Sequence, residues 1–120
     1  MTSEDLSRLP DGATLRRLPC DLEIVRRRKH EPIDVSRLSR SERAARTDKR
    51  HGSKFGLAWT LERLTDWIAE RVEEYGWVPG RRQKLDVPFE EPVGYSVGTS
   101  VRTIRIMSDG RYVHAFPVED

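Results

Sequence analysis

Three histidines are the residues best suited to proton transfer in this 120-residue chain, and they lie in separate segments as His30, His51 and His114. The ordinary pKa of a histidine is about 6.5, so both its charged and neutral forms exist near neutrality and two histidines can act as general base and general acid. Each histidine also fits a purely structural role, because a histidine can occupy a loop, a helix end or a strand without taking part in catalysis. Only their convergence in the folded chain would indicate a site.

Other catalytic chemistries find little support in the sequence. One cysteine, Cys20, and three scattered histidines give no recognisable zinc spacing, and no glycine-rich phosphate loop is present. We therefore expect neither a metal nor a cofactor. The single cysteine also rules out an internal disulfide framework, which is consistent with a reducing compartment.

Positive charge is concentrated in the middle of the chain. Residues 26–54 contain 11 lysines and arginines against 4 acidic residues, whereas the whole chain contains 22 against 20. A basic stretch on an otherwise acidic chain is typical of phosphate binding, although a solvated basic helix that pairs with the protein's own acids would have the same composition. The candidate phosphate contacts in this segment are Arg26, Arg27, Arg28, Lys29, Arg43, Arg46, Lys49 and Arg50.

The N-terminal half contains few regular elements. Residues 1–21, with two prolines and an Asp11-Gly12 turn signal, are interpreted as a loosely ordered arm, and residues 22–25 as a short strand. Ser39 and Glu42 have the spacing of a capping box, which predicts a helix from Arg40. Because residues 40–50 have almost no apolar face, this helix either faces solvent or becomes ordered on a polyanion.

A second helix is predicted over residues 57–75. Its apolar residues recur at intervals of three and four, and Gly76 is a suitable C-terminal cap. The stripe consists of Leu57, Leu61, Leu64, Ile68, Val72 and Tyr75.

Residues 100–118 are predicted to form a β-hairpin that turns at Asp109-Gly110. The face that we expect to be buried under the helix carries Ile104, Ile106, Val113 and Ala115. The opposite face carries Thr103, Arg105, Met107, Tyr112, His114 and Phe116. Its cationic and aromatic groups suit phosphate and base contacts, although an ordinary outer sheet face can have the same composition. We thus expect an α+β domain over residues 22–120, with one amphipathic helix on a small antiparallel sheet.

The order of helix, polar loop, strand, Asp-Gly turn and closing strand resembles the C-terminal half of bacterial EndoU-type toxin ribonucleases, in the group of barnase, colicin E5 and RelE-like enzymes. His51-Gly52 matches the family's histidine-glycine element, and residues 114–117, His-Ala-Phe-Pro, correspond to its final Thr-Ala-aromatic-Pro signature. His114 replaces the family's hydroxyl residue there. The resemblance covers about the last 70 residues and one upstream histidine, His30.

The resemblance implies metal-independent RNA cleavage. His51 and His30 would be the acid–base pair, and Lys54 or Lys84 would stabilise charge on the phosphate. His114 and Arg105 would contact the scissile phosphate. Tyr112 or Phe116 would stack on a base.

The sequence leaves two other functions open. One is a non-catalytic nucleic-acid-binding module, and the other is a protein-interaction domain such as an immunity or adaptor protein. We expect RNA rather than DNA as the partner, an acidic inhibitor protein as a further partner of a toxin, and no membrane. No apolar run approaches the roughly 20 residues of a membrane helix, and the N-terminus has no hydrophobic signal segment. The expected location is the cytoplasm, or that of a target cell.

Overall fold

Within residues 8–120, the part of the chain that this computed structural model describes, the backbone forms eight strands, two α-helices and a short 3-10 turn at Arg28–His30. The strands are β1 (Thr14–Arg17), β2 (Glu23–Val25), β3 (Lys54–Phe55), β4 (Gln83–Pro88), β5 (Gly94–Ser96), β6 (Thr99–Val101), β7 (Thr103–Ser108) and β8 (Tyr112–Val118). The helices are α1 (Arg40–Arg46) and α2 (Leu61–Tyr75).

The strands form two sheets. Five strands have the order β1-β2-β8-β7-β4, and three have the order β3-β5-β6. Strand β2 runs parallel to β8, with Ile24 opposite Val113. The larger sheet is therefore mixed, whereas the sequence predicted an antiparallel sheet. The predicted α+β class is confirmed.

The chain divides into two compact units with interleaved segments. Unit 1 comprises the N-terminal part to Arg28, residues 60–85 and residues 106–115. Unit 2 comprises residues 29–59, 86–105 and 116–120.

Strand β1 lies in the segment that was predicted to be a loose arm, so that prediction was wrong for Thr14–Arg17. The strand pairs antiparallel with β2, and Arg17 lies opposite Glu23. Its four residues, Thr-Leu-Arg-Arg, have no alternating apolar pattern, and pairing of the backbone holds them in place. Residues 1–7 of the predicted arm lie outside the described part of the chain.

Helix α2 begins at Leu61, one turn later than predicted. The hydroxyl of Thr60 accepts a hydrogen bond from the Arg63 amide at 3.1 Å and caps the helix, while Leu57 lies outside it and is 57% exposed. Its buried residues are Leu64, Thr65, Ile68 and Val72. Gly76 ends it at φ 65°, in the left-handed conformation that glycine adopts readily.

Helix α1 has the predicted capping box. The Ser39 hydroxyl accepts from the Glu42 amide at 3.2 Å, and the Glu42 carboxylate accepts from the Ser39 amide at 3.1 Å. The helix ends at Arg46 and none of its residues is buried.

The C-terminal hairpin has the predicted faces but a later turn. Ile104, Ile106, Val113 and Ala115 are at most 4% exposed, as predicted for the inner face. The Asp109 amide donates to the Tyr112 carbonyl at 3.2 Å, so the chain reverses one residue later than the predicted Asp109-Gly110 turn. The period of two along a strand is independent of the turn, which is why the faces were predicted correctly.

Candidate nucleic-acid groove

Unit 2 contains an open groove of about 570 Å³ that gathers several of the predicted site residues. It is lined by five separate parts of the chain, which the fold of this unit brings together. The predicted residues in its walls are Lys29, His30, Lys49, Arg105 and Phe116. The other lining residues are Thr47, Asp48, Gly52, Ser53, Ser96, Val97, Pro117, Val118 and Glu119.

The contacts that hold His30 in the groove include a ring stack and a hydrogen bond to the backbone. Its ring stacks on that of Phe116, with centroids 4.7 Å apart and planes 18° apart. Its Nδ1 atom lies 2.8 Å from the carbonyl oxygen of Ser53. Because a carbonyl can only accept, this bond places the proton on Nδ1 and leaves Nε2 as the basic nitrogen of the neutral ring.

His51 forms a dyad with Asp48. A single carboxylate oxygen of Asp48 lies 2.9 Å from Nδ1 of His51 and accepts from the His51 amide at 2.9 Å. These two bonds lower the pKa of Asp48 and keep it ionised. The His51 side chain is 53% exposed, and the Asp48 bond leaves Nε2 as the unprotonated nitrogen of the neutral ring. Asp48 and Gly52 line the groove, whereas His51 itself does not.

Gly52 allows the Lys29 side chain to lie directly over the turn that precedes β3. Gly52 has φ 84°, and a Cβ atom added to it would be 2.5 Å from Cγ of Lys29. A larger residue would therefore strain the backbone and displace the lysine stem. The glycine thus helps to position one of the cations of the groove.

Lys54, the predicted phosphate-stabilising cation, has its ammonium group bound to main-chain carbonyls. Its ammonium group donates to the carbonyl oxygens of Lys29, His51 and Gly52, the last two at 2.6 and 3.1 Å. An ammonium group has three protons, so these bonds use all its donors. Burial, followed by repulsion from Lys29, lowers the pKa of Lys54. Lys54 is absent from the walls of the groove, and its contacts indicate a structural role.

Arg105 lines the groove as half of an ion pair. Its Nε and Nη2 atoms lie 2.7 and 3.0 Å from the two carboxylate oxygens of Asp86. This pairing raises the pKa of Arg105 above its ordinary value. Asp86 offsets much of the positive charge of Arg105, so Lys29 and Lys49 are the lining cations left to attract an anion, against the opposing charges of Asp48 and Glu119.

The remaining predicted residues do not line the groove, so His30 is the one of the three histidines that lies in its walls. Arg26 is buried at 5% exposure, and Arg43, Arg46 and Arg50 belong to unit 2 without lining its groove. Arg27, Arg28, Tyr112 and His114 belong to unit 1.

The ring centroid of Tyr112 lies 4.8 Å from the guanidinium of Arg111. His114 and Lys84 line a smaller pocket of about 370 Å³.

The sequence reasoning missed the groove residues Thr47 and Val97. Thr47 is only 1% exposed, although it follows a helix without a buried residue. A Val-Gly pair between short strands was the one signal for the turn that carries Val97.

The chain has no match among protein-family models, curated proteins or solved structures. Across residues 8–120 no cluster of three or more histidine, cysteine or acidic side chains is arranged to hold a metal ion. No helix in that range is long and apolar enough to cross a membrane.

Proposed function

We propose that unit 2 binds single-stranded RNA in its groove and cleaves it without a metal. The observation that carries the proposal is the convergence of Lys29, His30, Lys49 and Phe116 in one groove, although these residues are as much as 87 positions apart. Lysine side chains attract phosphates, and an aromatic ring next to them offers a surface on which a base can stack. The EndoU-type resemblance implies the same chemistry.

The two imidazoles supply the proton transfers in this mechanism. His51 does not line the groove itself but is held by Asp48, which does. In this mechanism His51 takes the proton of a ribose 2′-hydroxyl, and the resulting 2′-oxygen attacks the adjacent phosphorus. The bond from phosphorus to the 5′-oxygen breaks, and protonated His30 donates its Nε2 proton to that oxygen. The products are a 2′,3′-cyclic phosphate and a free 5′-hydroxyl. Lys29 and Lys49 stabilise the negative charge that develops on the phosphate oxygens.

Incubation of the purified protein with single-stranded RNA in excess chelator tests this function. We expect cleavage to 2′,3′-cyclic ends, with rates reduced by on the order of a hundredfold or more in His51→Ala and His30→Ala. Asp48→Asn should reduce the rate less, because it keeps the imidazole but removes the charge that orients it. His114→Ala is the matched control, since His114 lines a different pocket.

A non-catalytic RNA-binding module is the second candidate. It is favoured by Lys54, whose engagement with three carbonyls removes it as the cation expected beside the scissile phosphate. In this case RNA would remain intact at high protein concentration, and His51→Ala would retain its affinity while Lys49→Ala would lose affinity. That result would refute cleavage and retain binding.

A further inference from the structure

The turn between β5 and β6 has an unfavourable residue at its tip. Ser96 and Thr99 are paired, so Val97 and Gly98 form a two-residue loop with φ angles of 50° and 78°. A turn with positive φ at both central residues strongly prefers Asn-Gly, because a Cβ branch crowds the backbone in that region. Valine is among the least suitable residues for this position.

Thr47 holds the turn in this conformation. Its carbonyl oxygen accepts from the Val97 amide and its hydroxyl accepts from the Gly98 amide, both at 2.7 Å. The same hydroxyl donates to the carbonyl of Arg43 at 2.7 Å, which ties the turn to helix α1. A Cβ atom at Gly98 would lie 3.0 Å from the backbone of Ala44, so glycine is needed at the second position. The strained valine is therefore rigidly placed.

Packing does not compensate for the strain at Val97. Its side chain is 46% exposed and lines the groove of unit 2. Backbone strain of this kind persists where the surrounding structure imposes it and is concentrated at ligand sites. An exposed, rigidly held isopropyl group at the edge of a groove is suited to contact the apolar part of a ligand.

We propose that Val97 is a base-contacting residue that selects single-stranded over double-stranded nucleic acid, an inference that rests on the proposed RNA binding. The groove combines cations, Lys29 and Lys49, with apolar carbon from Val97 and Phe116. An unpaired base presents an apolar face to such carbon, whereas a base within a duplex keeps its faces stacked on its neighbours. The lysines contact phosphates, and Val97 and Phe116 contact the base between them.

Val97→Gly and Val97→Asn test this role, because both residues adopt positive φ readily. Each variant should unfold at the wild-type temperature or above it, since the substitution relieves the strain. Each should bind a labelled single-stranded oligoribonucleotide on the order of threefold to tenfold more weakly. Val97→Ile keeps the branched apolar side chain and should retain the wild-type affinity. Affinity for a duplex of the same sequence should be unchanged in all three.

Binding of inorganic polyphosphate distinguishes the base contact from the phosphate contacts, because polyphosphate carries phosphates without bases. All Val97 variants should bind polyphosphate as the wild type does, while Lys29→Ala and Lys49→Ala should bind it more weakly. Unchanged oligonucleotide affinity in Val97→Gly, or equal losses for oligonucleotide and polyphosphate, would overturn the role of Val97. Failure of the wild-type protein to bind either ligand would instead overturn the proposed function.

Discussion

Lys54 is the residue whose structural contacts differ most from the role predicted for it. We expect Lys54→Met to lower the free energy of unfolding by about 1–3 kcal/mol, because three carbonyls lose a charged donor. Chemical denaturation measures this loss. Lys49→Met is the control: Lys49 is exposed in the turn that precedes β3, so its loss should change stability by at most about 0.5 kcal/mol while weakening RNA binding. A stable Lys54→Met protein with impaired RNA binding would restore Lys54 as a phosphate contact.

Glu23 should make the stability of the protein depend on pH. This buried carboxylate accepts a hydrogen bond from the Thr14 hydroxyl at 3.0 Å, which lowers its pKa from the ordinary 4.5 against the opposing effect of burial, and Arg111 and Arg17 lower it further. A lowered pKa in the folded state gives stability that is present above the unfolded pKa and is lost as pH falls through the folded value.

The Glu23→Gln variant tests this linkage. It should be less stable than the wild type at pH 7, and the difference should shrink as the pH falls below about 4.5. Denaturant titrations at a series of pH values measure it, with the exposed Glu73→Gln as a control for the loss of one negative charge. A difference that is constant from pH 7 to pH 3 would show that ionisation of Glu23 does not stabilise the fold.

At the scale of elements, the sequence predicted the helix caps, which depend on residues close together in the chain. The capping box at Ser39 and the glycine cap at Gly76 satisfy groups within one or two turns, and both are present in the structure. The start of α2 was misplaced because Leu57 fits the helical spacing but precedes the capping residue Thr60. The capping residue sets where the helix begins, whereas the spacing of the apolar residues alone would start it one turn earlier.

A substitution at Gly94 of strand β5 tests the packing of the smaller sheet. A Cβ atom at Gly94 would overlap the carbonyl oxygen of Lys54 and lie 2.7 Å from Cγ of Pro117. We expect Gly94→Ala to lower the free energy of unfolding by about 1–3 kcal/mol, because neither the backbone of β3 nor the proline ring can move away easily.

Gly56→Ala is the matched control for this substitution. The nearest atom to its added Cβ would be the Val93 carbonyl oxygen at 3.7 Å, which is an ordinary contact. Its stability should therefore be close to that of the wild type, as thermal unfolding can measure. Equal stability of the two variants would mean that β3 and β5 approach less closely than the structure indicates.

At the scale of the whole molecule, the features that the sequence did not predict depend on contacts between distant residues. The parallel pairing of Ile24 with Val113 and the stacking of His30 on Phe116 join positions more than 80 residues apart. No local period encodes such contacts, since they result from the way the core closes. The kinds of residue in the groove could therefore be anticipated from the sequence, but which particular residues meet there could not.

The distribution of charge over the chain leads to a prediction about salt. If Lys29 and Lys49 each contact a phosphate of single-stranded RNA, each releases counterions on binding, and log affinity falls with log salt by about 0.7 per contact. Lys29→Ala and Lys49→Ala should each weaken binding and reduce that slope by about 0.7, as fluorescence anisotropy between about 50 and 200 mM salt can measure.

Arg37→Ala removes the same charge from an exposed residue of unit 2 that does not line the groove, and it should leave the slope unchanged. If all three substitutions reduce the salt slope equally, the basic segment attracts RNA through its net charge alone, without a defined path for the phosphates. A slope that responds to the two lysines alone places the phosphates in the groove, because counterion release counts only the cations that the RNA neutralises.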